Sequence, residues 1–260
     1  MVDLQPISRI APALAGRAVI AQRWTEATFL HWRVDAERVA PHLPPGTRPD
    51  VFDGSSWVGL IPFRLSHSSF FGGPPVPYFG TFPEINVRLY SVDELGRRAV
   101  VFASLEASHL APVLVARAAF GLPYQWARMS MGARGDLRAY RSHRISRPRR
   151  LAPGGALLDG PRSHVISRVL GEPVQDDPLA DFLTARWSFH QSHRGRTWFG
   201  ANQHEPWPLQ RAELVHLDDQ LLAAAGFPDL AERAPDSALF SPGVRTTFSA
   251  PGALPRALPR

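Results

Sequence analysis

The chain has 260 residues and a mass of 28.7 kDa, enough for a sizeable core, and its 44% hydrophobic and 20% charged content is that of a globular protein with no apolar run long enough to cross a bilayer. There is no cysteine, which excludes disulfides and thiolate chemistry. All 29 basic side chains are arginine, so no side-chain amine exists to form an imine with a ketone, and the net charge of +6 is a diffuse arginine surplus.

In chain order, the first 24 residues are broken by Asp3, Pro6, Arg9 and Pro12, which argues against a signal-peptide core and for a cytoplasmic protein. FLHWRV (29–34) reads as a strand, and DAERVAPHLPPG (35–46) as one helical turn stopped by Pro44 and Pro45. RPDVFDGSSWVGLIPFRL (48–65) predicts strand, Asp53-Gly54 turn and strand, a hairpin. The loop SHSSFFGGPPVPYFG (66–80) puts Phe70, Phe71 and Tyr78 where exposure is costly unless they cover something; it is either a lid or a loop packed on the core.

TFPEINVRLYSVDELGRRAVVFASLEAS (81–108) predicts two strands joined around Glu94 to Gly96. On the first, Glu84, Asn86, Arg88 and Tyr90 share one face while Ile85, Val87 and Leu89 share the other, which must be core. Next comes a helix capped by Ser108 and closed by Gly121, after which Pro123 forces an abrupt start of strand at Tyr124. YQWARMSMG (124–132) and LRAYRSHRI (137–145) form a hairpin around Arg134-Gly135, and SHVISRVLG (163–171) a further strand. DPLADFLTA (177–185) is a short helix, 186–217 supplies more strands, DDQLLAAAG (218–226) a last helix, and SALFSPGVRTTFS (237–249) a final short strand. The pattern is mainly β with a few helices (α+β), a curled antiparallel sheet or barrel, in a single domain over 1–260 whose tail from about 251 is expected to be flexible.

Among motifs, His190, His193, His204 and His216 cluster in sequence, but His190 and His193 point to opposite faces of a strand and no HExxH is present, so the expectation is no metal. GSSWVG (54–59) is not a nucleophile elbow, and FFGGPP lacks the following helix of a phosphate loop. The arginine-rich RSHRISRPRR (141–150) lacks interleaved aromatics, so no specific nucleic-acid partner is expected. The polar row is the stronger candidate. Such a row ordinarily faces solvent or carries an ion pair worth about 1 kcal/mol at most. In a curled sheet it can instead line an interior cavity, where Arg88 would grip a carboxylate or carbonyl oxygen, Asn86 would add a hydrogen bond and Glu84 would exchange protons.

FPEINVRLY (82–90), FASLEA (102–107), ARAAFGLPYQWA (116–127) and HEPWPLQRAELVHLDD (204–219) together resemble the YqjF-like domain-of-unknown-function family, whose members are related to acetoacetate decarboxylase. The similarity runs from about Phe29 to Phe248. It implies an acetoacetate decarboxylase-like, cone-shaped β barrel around a small cavity. In the decarboxylase a pair of lysines follows the Gly-x-Pro corner, one forming the Schiff base; here those positions are Tyr124 and Gln125, so the cavity can persist while the imine chemistry cannot. The expectation is a lysine-independent lyase, hydratase or isomerase acting on a small oxo acid or related carbonyl compound, without cofactor. Glu84 and Tyr124 would be catalytic, and Arg88, Asn86 and Gln125 would hold the ligand. The alternative is a non-catalytic small-molecule-binding protein that kept the cavity. A membrane partner is not expected, and homo-oligomer formation is left open.

Overall fold

The computed structural model describes residues 3–14, 16–110, 121–145 and 160–254. Most of the helix expected between Ser108 and Gly121, the end of the arginine-rich run and residues 255–260 lie outside them. The strands are β1 (Ala18–Val34), β2 (Thr47–Pro49), β3 (Ser56–Phe70), β4 (Phe82–Asp93), β5 (Arg98–Ala107), β6 (Tyr124–Arg134), β7 (Leu137–Arg144) and β8 (Arg162–Pro173), then β9 (Ser188–His193), β10 (Arg196–His204), β11 (Gln210–Asp219), β12 (Ser237–Ser249) and β13 (Gly252–Ala253). Short helices α1 (Ala36–Val39), α2 (Pro178–Thr184) and α3 (Leu221–Ala224) interrupt them. Asp177 caps α2 by accepting from Leu179 N and Ala180 N, and Pro178 supplies the pre-set first helical φ.

Among the described residues the strands join one 13-stranded sheet that closes on itself twice. One circuit runs β5-β6-β7-β8-β11-β12-β1-β3-β4 and returns to β5; a second leaves β5 through β9 and β10 to β12 and returns by the same β1, β3 and β4. The two circuits therefore share one wall. Behind it lies a packed core of Leu30, Trp32, Leu60, Ile85, Val87, Leu89, Tyr140 and Val165, all at most 2% exposed. Each such side chain contributes roughly 1.5 to 3 kcal/mol by leaving water. In front of the wall the second circuit is hollow.

Two irregularities keep the cavity face continuous along curving strands. On β1, Ala27 and Phe29 face the hollow but so do Gln22 and Trp24; the change of parity falls at Glu26, whose φ is 52°, inside a register shift against β3. On β5 the shift between Val87 and Arg88 of β4 lets both Phe102 and Leu105 face inward. Such bulges bend and twist a strand as closure requires.

Several sequence expectations need correction. β2 pairs with β4, not β3, so Asp53 and Gly54 turn only the isolated Phe52–Ser55 bridge. Residues expected at the start of the 66–80 loop belong to β3, which continues to Phe70. The final "short" strand, β12, is 13 residues long and pairs with β1, β10 and β11. The tail expected to be flexible from about 251 is held at its start, where Gly252 and Ala253 pair with Phe199 and Trp198. Among the described residues no helix is long and apolar enough to cross a membrane.

Candidate active site

The hollow is a cavity of about 400 Å³ lined from β1, β3, β4, β5, β9, β10 and β12, the members of the second circuit, and by Tyr124 of β6. Period-two alternation on β4 aims Glu84, Asn86 and Arg88 into it while Ile85, Val87 and Leu89 fill the core behind.

Glu84 is 3% exposed, and the Tyr124 hydroxyl donates to its Oε2 at 2.9 Å. Burial pushes the carboxyl up to about 8, against a smaller downward pull from the Tyr124 hydrogen bond, so near neutral pH it is mostly a protonated acid. The Tyr124 phenol is raised well above its usual range, first by burial and then by Glu84. Its position follows from the corner before it. Gly121 has φ +66°, and a Cβ there would fall 2.5 Å from His193 Cβ, so only glycine fits. Pro123 then offers its carbonyl to Leu105 N at 3.3 Å, and β6 enters parallel to β5 with Tyr124 beside Leu105.

Arg88 is half-buried and fixed on one side: Nε donates to Tyr90 Oη at 3.0 Å and Nη2 to Leu183 O at 2.9 Å. It has no carboxylate partner among the described residues. The Tyr90 hydroxyl donates to Leu183 O at 3.0 Å, so its contact with His31 Nε2 at 2.7 Å requires the ring to be the donor. His31 is held far below the usual imidazole range by burial and then by Arg88 and Arg186, and is therefore a neutral prop. Asn86 is 6% exposed, and its Oδ1 finds no partner among the described residues.

Gln125 does not join them. It pairs with Glu106 on the opposite face of the sheet, away from the cavity lining, and its Nε2 donates to Pro123 O at 3.3 Å.

Two cavity residues were missed by sequence reasoning. Arg186, 5% exposed, donates from Nη1 to Asp50 Oδ2 at 2.5 Å and from Nε to Phe182 O at 2.6 Å, while Nη2 is left unmatched among the described residues. Asp50 also receives Arg98. In the sequence His204 stands out only as a possible metal ligand; its Nδ1 donates to Glu205 O at 2.6 Å, and burial, helped by the Arg88 charge, lowers it to about 4, so it is neutral. The local sequence carries no signal for either, because the partners that give them meaning lie on β4 and in the segment before β3. The other histidines have separate surroundings: His190 bonds Ser91 Oγ at 2.9 Å, and His216 packs on His164. Among the described residues no three His, Asp or Glu side chains gather as a metal ion would need.

The remaining wall is apolar and aromatic, with Trp24 stacked on Trp207 at 6.0 Å and Phe63 and Phe248 edge-on to Trp24. Phe70, Val76, Phe79 and Gly80 from the end of β3 and the following loop complete the lining near the mouth, so this segment covers the site. Phe71 and Tyr78 stay outside at 77% and 74% exposure, Tyr78 stacked on His109 at 4.7 Å.

The fold has relatives of known structure. An acetoacetate decarboxylase-like enzyme from Sphingomonas wittichii RW1 matches with a TM-score of 0.59 at 12% identity, over 94% of this chain and 96% of that one. The acetoacetate decarboxylase of Legionella pneumophila matches at 0.58 and 12%, over 94% and 92%. The enduracididine biosynthesis enzyme MppR complexed with pyruvate matches at 0.56 and 15%, over 92% and 91%. At these identities the likeness establishes the acetoacetate decarboxylase-like fold. In sequence, YqjF of Bacillus subtilis is 30% identical over 197 residues, 75% of this chain and 76% of that protein. The family model for DUF2071, described as Uncharacterized conserved protein (COG2071), matches residues 21–245, and the chain belongs to that family.

Proposed function

We propose that the cavity is the site of a lysine-independent enzyme that moves a proton on a small oxo acid or related carbonyl compound, as a lyase, hydratase or isomerase does. The observation that carries this reading is Glu84: a buried carboxyl poised near pH 8, held by the Tyr124 hydroxyl and sharing one cavity with a guanidinium that has no carboxylate partner among the described residues. An acid–base group works best when its pKa lies near the working pH. Arg88 holds the substrate carboxylate or an enolate oxygen, pre-set by Tyr90 and Leu183, and Asn86 adds a hydrogen bond. Glu84 gives its proton to the carbonyl side of the substrate or, once ionised, removes one from the adjacent carbon; Tyr124 keeps the carboxyl oriented through both. MppR, whose structure contains pyruvate, lends support to this substrate class.

The test is a pair of variants assayed for binding and turnover with pyruvate and acetoacetate. Arg88→Gln weakens binding by roughly tenfold or more, the usual cost of a lost charge-assisted hydrogen bond. Glu84→Gln binds as the wild type does but turns over at least about a hundredfold more slowly. Equal binding by all three proteins refutes the site; binding through Arg88 with no turnover by the wild type makes the protein a binder.

A further inference from the structure

The two ends of the cavity differ in kind. At one end lie Arg88, without a carboxylate partner among the described residues, and Arg186, which shares the single carboxylate of Asp50 with Arg98. Both guanidiniums rest on the Tyr90 ring, at 5.6 and 4.8 Å from its centroid. Three cations thus face one anion in a largely buried setting, and two buried polar atoms there, Arg186 Nη2 and Asn86 Oδ1, remain unmatched among the described residues. Buried charge and buried polar atoms of this kind call for a partner. The other part is mainly apolar: Trp24, Phe63, Leu65, Phe82 and Trp207 present rings and a branched alkyl group, the polar groups among them already pair within the protein as Tyr124 with Glu84 and Trp24 with Gln22, and Phe70, Val76 and Phe79 carry the apolar character to the mouth.

Size separates a small ligand from a larger one. The cavity's volume of about 400 Å³ equals about 13 waters at about 30 Å³ each. A three-carbon oxo acid displaces about three of these, leaving an aromatic-walled space that holds water poorly. Sites of this volume ordinarily enclose most of a ligand's surface, with few polar groups fixing its orientation.

We infer that the ligand is an amphiphilic oxo acid, with a carboxylate head at Arg88 and Arg186 and an aromatic or branched aliphatic body of roughly eight to twelve carbons among Trp24, Phe63, Phe82 and Trp207. This deepens the proposed function and rests on its assignment of Arg88 to the ligand's carboxylate.

The experiment is a calorimetric titration of the full chain with pyruvate, 2-oxooctanoate, phenylpyruvate and phenylacetone, the last keeping the aromatic body and ketone but lacking the carboxylate. Phenylpyruvate and 2-oxooctanoate are expected to bind at least tenfold more tightly than pyruvate, and phenylacetone at least tenfold more weakly than phenylpyruvate. Val76→Trp and Ile20→Trp, two half-buried positions on the apolar lining, the second paired with Phe70 of β3, then narrow the body end and reduce the preference for phenylpyruvate over pyruvate by at least fivefold. Circular dichroism shows that each variant is folded before it is titrated, and two independent positions guard against the failure of one. Equal affinity for pyruvate and both larger acids, with Arg88→Gln weakening all of them, overturns the inferred body while leaving the carboxylate site intact. Equal affinity for phenylacetone and phenylpyruvate, unchanged in Arg88→Gln, overturns the carboxylate site and this inference with it.

Discussion

Glu84 gives the account its most direct residue-level consequence. Its carboxyl is raised from 4.5 to about 8 by burial. Between those values the folded state holds a proton that the unfolded state has released, so Glu84 contributes stability that is fully present below about pH 4.5 and is lost as pH rises through about 8. Wild type should therefore lose on the order of a few kcal/mol between pH 5 and 9 that Glu84→Gln keeps. Thermal melts of both proteins across that range check this, and parallel profiles would contradict it. Tyr90→Phe should weaken binding of an oxo acid about tenfold, because Arg88 Nε loses the hydroxyl that fixes it, and should cost about 1 to 3 kcal/mol of stability by leaving His31 Nε2–H buried without its acceptor. Titration and melting of the same variant measure both. The row Glu84, Asn86, Arg88 was legible in the sequence because alternation on a strand is local. Arg186 and His204 were not, since what brings them to the cavity is pairing between strands far apart in the chain.

At the scale of elements, the corner at Gly121, Leu122 and Pro123 decides whether Tyr124 meets Glu84. Its abruptness was readable from Gly and Pro alone, but the face reached by each following residue was not: Tyr124 turns inward and Gln125 outward. Gly121→Ala should cost about 2 kcal/mol or more, combining a φ of +66° with a Cβ placed 2.5 Å from His193 Cβ. Gly135→Ala, in the β6–β7 turn at φ +59° with nothing within 4 Å, should cost only about 1 kcal/mol. Denaturant melts of the pair separate the clash from the backbone strain, and equal losses would remove the packing argument. The bulges at Glu26 and on β5 escaped sequence reading for a related reason: a shift of register leaves the hydrophobic pattern locally intact and shows only against the partner strand.

For the whole molecule, closure of the sheet is what turns a polar row into a site. β4 alone cannot show whether Glu84 faces water; the second circuit through β9, β10 and β12 encloses it. That closure depends on pairings such as β10 with β12, which no local pattern signals, whereas the mainly β composition and the family resemblance were readable along the chain. The missing lysines also act at this scale. Borohydride added with pyruvate or acetoacetate should leave no adduct on any side chain, because none carries an amine; an adduct mapped by mass spectrometry to a side chain would contradict this, while one at the terminal amine would not.

The central claim is that Glu84 exchanges protons with a bound carbonyl compound, and exchange of the hydrogens beside the carbonyl of phenylpyruvate or pyruvate in D₂O, followed by NMR, reads that step whatever the full reaction is. Wild type should accelerate exchange above the protein-free rate, increasingly so as pH rises through about 8 and Glu84 ionises, and Glu84→Gln should abolish the acceleration while still binding. Exchange no faster than without protein, or equally fast in Glu84→Gln, would contradict the account.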